Sequence, residues 1–529
     1  MSHPPIADVI VAGLGAAGSA AAYHLARRGA RVVGVDRYTP PHAMGSSHGR
    51  SRIIREAYFE HPLYVPLVRE AYMGWEELEA LTGRRLYLRT GGLMLGPADG
   101  TVVPGARRSA LEHGLSFEEL AAEDVRRRFP AWHLPDDVVG IFEPRAGMLD
   151  PEAAIAAHLD LARRHGAELR FDEPLLSWRA EGDAVEVTTS RATYRAARLV
   201  LAVGAWTPRV LAPLGLPLVV ERNVVAWFDT TVGRAASRTA PPVSTASPGF
   251  GGSTARHEST GRDYSTAPDA STGPDDSTGH DNAIARDEPT VQDEPTVQDE
   301  PTVQDEPTVQ DEPTVRDEPT ARDGSTAHDG STAHDDPADR GAPPGRNAWS
   351  AADVLADPEA RSRPAVDIVA GAGARSDPPL ARAEDLFAPE RFPVFVHEVR
   401  PGLTWYGFPD TGDGVKLGIH HSGESTDPET ERREATESDV ARIRELVRTY
   451  LPAADRPVRE AAVCLYTNAP DDHFVLGPHP DHPAVIVVSA CSGHGFKFAP
   501  VIGELAAELS LEGRSRHDLT PFRIERLLG

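Results

Sequence analysis

Gly13, Gly15 and Gly18 stand in a GxGxxG pattern between an apolar β-branched run, Val9 to Val11, and an Ala-rich stretch of helical character. Each missing side chain has a use: a tight turn, close approach of backbone to a pyrophosphate, and close packing of helix on strand. N–H groups at the helix N-terminus would face the phosphates, where the helix dipole favours negative charge. Asp36 ends the next apolar run, near the offset at which an acid accepts hydrogen bonds from a ribose. Asp8 to Asp36 therefore reads as a βαβ unit holding a dinucleotide. The unit alone does not separate a flavin from a nicotinamide.

A second set of candidates comes from scarcity. Of 54 Lys and Arg residues, only Lys416 and Lys497 are lysine, and the two types are not interchangeable where a compact charge or a shiftable pKa is needed. Lys416 and His420 lie four apart in an apolar run, so a strand would put both on one face, with Tyr406 on the neighbouring strand able to share it. Gly493, His494, Gly495 and Lys497 fall between a strand and a helix, where backbone N–H groups and one cation would point at a ligand over the sheet. Cys464 is a further candidate, against the ordinary reading of a lone buried cysteine as a small hydrophobe. His48, Arg52 and Arg55, followed by Tyr58 and His61, sit in a Pro/Gly/Ser-rich segment directly after the βαβ unit, where cations could meet phosphate or carboxylate.

The elements that must position these groups alternate in type. Pro66 to Leu81 reads as an amphipathic helix packing through Leu67, Trp75, Leu78 and Leu81. Leu86 to Leu95 has β character around Gly91 and Gly92, Glu112 to Phe129 is helix-prone, and Pro151 to His165 is a helix. Strands follow over Val185 to Thr189, Arg198 to Val203 and Val219 to Phe228. The segments FPVFVHEV, LTWYGFP and VKLGIHHSG suit an antiparallel sheet. AVIVVSA is another strand, followed by a helix.

With 529 residues and a net charge of −26, the chain holds two or three domains and is ill suited to nucleic acid. Two cysteines, Cys464 and Cys491, exclude a disulfide scaffold. No apolar run is long enough to span a membrane and no export signal leads the chain. A cytoplasmic protein is expected. From Thr231 to Glu384 there are 29 acidic residues against 13 Arg, a net of −16 that leaves −10 elsewhere. A hexapeptide array lies within it: DEPTVQ recurs from Asp287, then degrades through DEPTVR, DEPTAR and DGSTAH. Pro in the DEPT repeats removes a ladder donor and their acids resist burial, so this span reads as a disordered insertion rather than a β-helix. Closing a loop of about 150 residues costs about 4 kcal/mol beyond a constant, which a surface site tolerates.

The blocks GLGAAGSAAAYHLA, PPHAMGSSHGRSRIIREAY, WYGFPDTGDGVKLGIHHSG, AAVCLYTNAPDDHFVLG and SGHGFKFAPVIGELAAEL resemble the monomeric sarcosine oxidase and N-methyl-L-tryptophan oxidase family of D-amino-acid-oxidase-like flavoproteins. The resemblance covers nearly all of the chain outside the insertion. It implies an α/β plus α+β fold: a Rossmann-like FAD-binding domain from 6–90, 150–218 and 458–525, and an antiparallel-sheet substrate domain from 91–149, 219–230 and 385–457, interrupted by 231–384. It implies FAD bonded covalently through Cys464, held also by Gly13, Gly15, Gly18, Asp36, Ser46, His48, Arg52, Gly493, Gly495 and Lys497. Lys416 matches the oxygen-activating lysine, and Arg55 and Lys497 match the pair that grips the substrate carboxylate. Arg52 and His48 match basic residues beside the flavin; Tyr406 and His420 match polar residues near the amine. The substrates implied are a small N-alkyl amino acid and molecular oxygen, which is reduced to peroxide, acted on by a monomer with no metal, nucleic-acid or membrane partner. Departures occur at Ser47, where the family pairs two histidines, and at Arg50 and Ser51, where Asp and Thr are common; these are expected to touch the pocket.

Three rivals remain open on the sequence, one of them an oxidase of the same fold that acts on another cyclic amino acid or a D-amino acid. A flavin dehydrogenase of the same fold would pass electrons to a carrier instead of oxygen. An inactive flavoprotein would use the acidic insertion to recruit partners. An NAD enzyme fits less well, because it leaves the Cys464 and Gly-His-Gly segments without a purpose.

Overall fold

The computed structural model describes residues 7–182, 184–230 and 386–528. The stretch read as an insertion lies outside the described residues.

Strands Ala7–Ala12 and Val32–Val35 pair in parallel around helix Ala16–Arg27, which is the expected βαβ unit. Val9, Ile10 and Val11 are all buried, as a parallel sheet covered on both faces requires. The sheet runs Glu168–Arg170, Val32–Val35, Ala7–Ala12, Thr193–Leu201, Val485–Ser489, all parallel. Val475–Pro478 adds an antiparallel edge, and the hairpin Leu175–Glu181 with Ala184–Thr189 extends from the first half of Thr193–Leu201. Helix Ala16–Arg27 packs against helices Pro151–Arg164 and Ala499–Glu512. Gly503 makes the latter contact possible, since a Cβ there would sit 2.4 Å from Ala20 Cβ.

The second sheet orders Val219–Phe228, Val415–His420, Leu403–Phe408, Val394–Arg400, Gly92–Pro97, Val138–Glu143 and Glu118–Ala121. The three segments expected to be antiparallel are so, while Val394–Arg400 meets Gly92–Pro97 in parallel. Val458–Asn468 pairs along the whole of Val219–Phe228, so by hydrogen bonding it belongs to this sheet. A three-stranded sheet, Arg52–Ile54, Gly147–Leu149 and Tyr87–Arg89, carries the segment after the βαβ unit.

Two readings need correction. Helix Tyr64–Thr82 buries Leu67, Trp75 and Leu78, but Leu81 is 48% exposed; it falls in the last turn, beyond the packed stripe. Glu112 to Phe129 is not one helix: strand Glu118–Ala121 precedes helix Ala122–Arg128. Pairing of that strand with Val138–Glu143 overrides local helix propensity.

Thr230 precedes the undescribed stretch 231–385 and Phe387 lies two residues past it, and both meet Asp410. The Thr230 hydroxyl donates to the Asp410 carboxylate, and the Asp410 N–H donates to Phe387 O at 2.8 Å. The same carboxylate accepts from the N–H groups of Gly412 and Gly414. Among the described residues, no helix is long and apolar enough to cross a membrane.

Candidate active site

The βαβ turn, the segment after it, the antiparallel sheet and the C-terminal turn all line a cavity of about 660 Å³. Gly13 has φ +86°, and a Cβ there would lie 2.4 Å from Ala202 O. A Cβ on Gly18 would lie 1.8 Å from Gly13 O, so Gly18 lets the helix close on the turn. At Gly15 a Cβ would find nothing nearer than Ser47 Oγ at 3.7 Å, which leaves this position open to the cavity. The N-cap Gly15 offers helix Ala16–Arg27 no side-chain cap; Ala16 N–H makes a long bond of 3.4 Å to Ser47 Oγ, and the next N–H groups remain available to an anion. Asp36 accepts from Leu14 N–H at 2.6 Å and Tyr38 N–H at 2.8 Å. It braces the glycine turn while still lining the cavity.

Register explains the shared face. Tyr406 pairs with Gly418, midway between Lys416 and His420, and a Cβ on Gly418 would approach the Tyr406 ring to 3.0 Å. Lys416, buried, donates from Nζ to Gly49 O at 2.7 Å, Ser51 O at 2.8 Å and Ser51 Oγ at 3.2 Å. Three acceptors match the three hydrogens of an ammonium. Burial, with Arg52 adding repulsion, holds its pKa well below the usual lysine range. The Arg52 guanidinium donates to Ser46 O at 2.6 Å and Ser51 O at 2.8 Å and reaches Cys464 Sγ at 3.5 Å. His48 Nε2 is buried without a hydrogen-bond partner. Burial, then Arg52 and Lys416, push its pKa down to about 3, so the ring is neutral.

At the other end, Arg55 is buried and its Nη2 donates to both oxygens of Glu60, at 2.6 and 2.8 Å. Lys497 Nζ donates to His494 O at 2.7 Å and lies 3.4 Å from Tyr58 OH. Burial, with Arg55 adding, lowers it to about 7. Tyr466 OH stands 3.5 Å from Tyr406 OH and 3.4 Å from His420 Nδ1. Gly493, with φ +74°, makes room for His420 and Tyr466, because a Cβ would lie 2.6 Å from His420 Cε1. Gly495 relieves a contact with Ala490 O at 1.8 Å. These two glycines therefore admit neighbouring side chains and backbone, beside any part their N–H groups take.

All the candidates but Gly18 line this one cavity; of the two residues noted beside them, His61 is exposed and Tyr58 is buried behind Lys497 and His494, and neither lines it. Ser47 and Ser51 line it, whereas Arg50 does not: it is exposed, with φ +65°, and pairs with Glu460 across the Trp227 ring. That departure leaves the pocket untouched, contrary to expectation. Sequence reasoning missed Glu60 and Tyr466. Tyr466 was visible in principle, two residues from Cys464 and hence on the same strand face.

The residues fit a flavin dinucleotide. The opening at Gly15, the uncapped helix and the unpartnered His48 Nε2 are features a bound cofactor would use, and no metal-binding cluster occurs among the described residues. The chain is 32% identical over 527 residues to the monomeric sarcosine oxidase of Streptomyces avermitilis, across 99% of this chain and 98% of that protein. It is 28% identical to the N-methyl-L-tryptophan oxidase of Salmonella arizonae, across 98% of each. In fold it is similar to NikD, an unusual amino acid oxidase essential for nikkomycin biosynthesis, with a TM-score of 0.62 at 21% identity over 98% of this chain and 97% of that one. Glycine oxidase from Geobacillus kaustophilus gives 0.58 at 16%, over 99% of each. Residues 8–285 and 346–509 match the DAO family of FAD dependent oxidoreductases, and the chain belongs to that family.

Proposed function

We propose that this protein is an FAD-dependent oxidase of N-methyl or other secondary amino acids, of the sarcosine or N-methyl-L-tryptophan type. The observation that carries the reading is the meeting of Lys416, Cys464, Arg55 and Lys497 on one cavity. FAD, when bound, supplies the redox chemistry, taking two electrons from the carbon–nitrogen bond and passing them to oxygen. The protein supplies position and charge. Arg55 and Lys497 hold the substrate carboxylate, which exchanges with Glu60 for the guanidinium. Tyr406, Tyr466 and His420, whose pKa burial and then His421 hold well below the usual histidine range, surround the amine and fix its carbon toward the cofactor. Lys416 lines the cavity and acts on negative charge developing on oxygen either through its charge or by exchanging the long 3.2 Å bond to Ser51 Oγ for one to oxygen. Hydrolysis of the imine then yields an aldehyde and the amino acid, with hydrogen peroxide as the second product.

Cys464 would hold the flavin covalently through its sulfur, a reading supported by its burial between Ser46 O and the Arg52 guanidinium. The parallel sheet forms an FAD-binding domain and the antiparallel sheet a substrate domain, working as a cytoplasmic monomer. Acid denaturation tests the covalent link. Colour stays with the wild-type pellet and moves to the supernatant in Cys464→Ser, while peroxide forms in step with amine consumed. Flavin freed from the wild type refutes the link, and amine oxidation without peroxide refutes the oxidase in favour of a dehydrogenase.

A further inference from the structure

We infer that Glu143 is a positioning residue that clamps the backbone of the Arg55–Glu60 segment and thereby sets the cation for the substrate carboxylate. The inference rests on the reading of Arg55 as that cation. Glu143 ends strand Val138–Glu143 and is 1% exposed. Its Oε1 accepts from Glu56 N–H at 2.8 Å, and its Oε2 accepts from Glu56 N–H at 3.0 Å and Ala57 N–H at 2.7 Å. Ala57 in turn offers its carbonyl to Arg55 Nη1 at 3.0 Å. Glu143 thus acts on the guanidinium through one residue, Ala57, whose N–H it holds and whose carbonyl Arg55 uses, without lining the cavity.

A buried carboxylate is an expensive way to satisfy two N–H groups unless negative charge is needed there. Glu143 has no ion pair among the described residues. The groups around it are Arg55, Glu56 with its own partner Arg145 at 2.9 Å, and the phenols of Tyr72 and Tyr87. Burial raises its pKa to about 7, against the two backbone bonds, with Glu56 raising it further and Arg55 lowering it. Protonation turns an acceptor into a donor aimed at donors, so the clamp loosens as pH falls through about 7. Lys497 fails in the opposite direction, losing its charge as pH rises through about 7. Carboxylate binding should then peak near neutrality, its acid limb belonging to Glu143 and its alkaline limb to Lys497.

The test uses the holoenzyme, with acetate as a competitive probe that does not titrate in this range and sarcosine or N-methyl-L-tryptophan as substrate. Glu143→Gln is expected to raise KM and the acetate Ki about tenfold, to change kcat much less, to keep flavin content, and to lose the acid limb of the Ki profile. Glu143→Asp, which keeps the charge but withdraws it by one methylene, is expected to retain a weakened acid limb. An unchanged Ki in Glu143→Gln, or an acid limb that persists there, overturns the inference. Arg55→Gln separates the two claims. If it abolishes acetate binding while Glu143→Gln does not weaken it, only the clamp is refuted; if it leaves acetate binding intact, the anchor reading and the clamp fall together. Should Glu143→Gln not fold, the wild-type profile decides: an acetate Ki that stays flat below pH 7 refutes the clamp.

Discussion

Lys416 and Lys497 are both buried, yet their surroundings differ in kind. Lys416 gives all three hydrogens to fixed oxygens of Gly49 and Ser51, so its nitrogen cannot wander. Lys497 has one carbonyl and a phenol, which leaves it a direction in which to meet a carboxylate. Replacing Lys416 with Met should therefore slow reoxidation of the reduced enzyme by oxygen about 10²–10³-fold, while anaerobic reduction by the amine changes little. Stopped-flow measurement of the two half-reactions checks this, and an equal loss in both would assign Lys416 to the amine step instead. The lysines were legible because they were rare. Glu60 and Glu143 were not, because a chain with 80 acidic residues gives no reason to single out two. Their roles depend on partners that only the folded backbone brings close, 87 positions away in the case of Glu143 and Glu56.

At the scale of elements, small residues decide which surfaces can meet. The contact of helix Ala16–Arg27 with helix Ala499–Glu512 joins the two ends of the sequence, and it closes at Gly503 against Ala20. Gly503→Ala places a Cβ 2.4 Å from Ala20 Cβ. It is expected to destabilise the protein by about 1–3 kcal/mol, read as a lower urea midpoint at unchanged slope; an unaltered midpoint would show that the helices part freely. Elements with a strong pattern were legible to the residue, as with Val219–Phe228, expected and observed with the same ends. The βαβ unit was equally plain, since three glycines, two apolar runs and an acid all agree. Glu118–Ala121 was not, because an edge strand of Glu-Glu-Leu-Ala has helical propensity and becomes a strand only by pairing. The membership of Val458–Asn468 in the antiparallel sheet was hidden for a related reason: an apolar strand carries no mark of its partner.

Across the whole molecule, chain order and sheet order diverge. The parallel sheet takes strands from both ends of the sequence, and the antiparallel sheet is assembled from segments lying on either side of residues 231–384. Removing Thr231 to Glu384 and rejoining the chain by a short turn should preserve flavin content and amine oxidation; a shortened protein that no longer folds would make that stretch structural. Geometry favours the first outcome, because Thr230 and Phe387 both meet Asp410. A further consequence concerns how such a sequence can change over generations. With both flanks fastened to one residue, the number of residues between them is almost invisible to the fold. Another six-residue DEPTVQ copy alters the closure entropy by only about 0.03 kcal/mol. Copying errors in the repeat tract can thus accumulate without selection for folding ever registering them, and related chains should differ in repeat number while keeping Thr230, Asp410 and Phe387 in place.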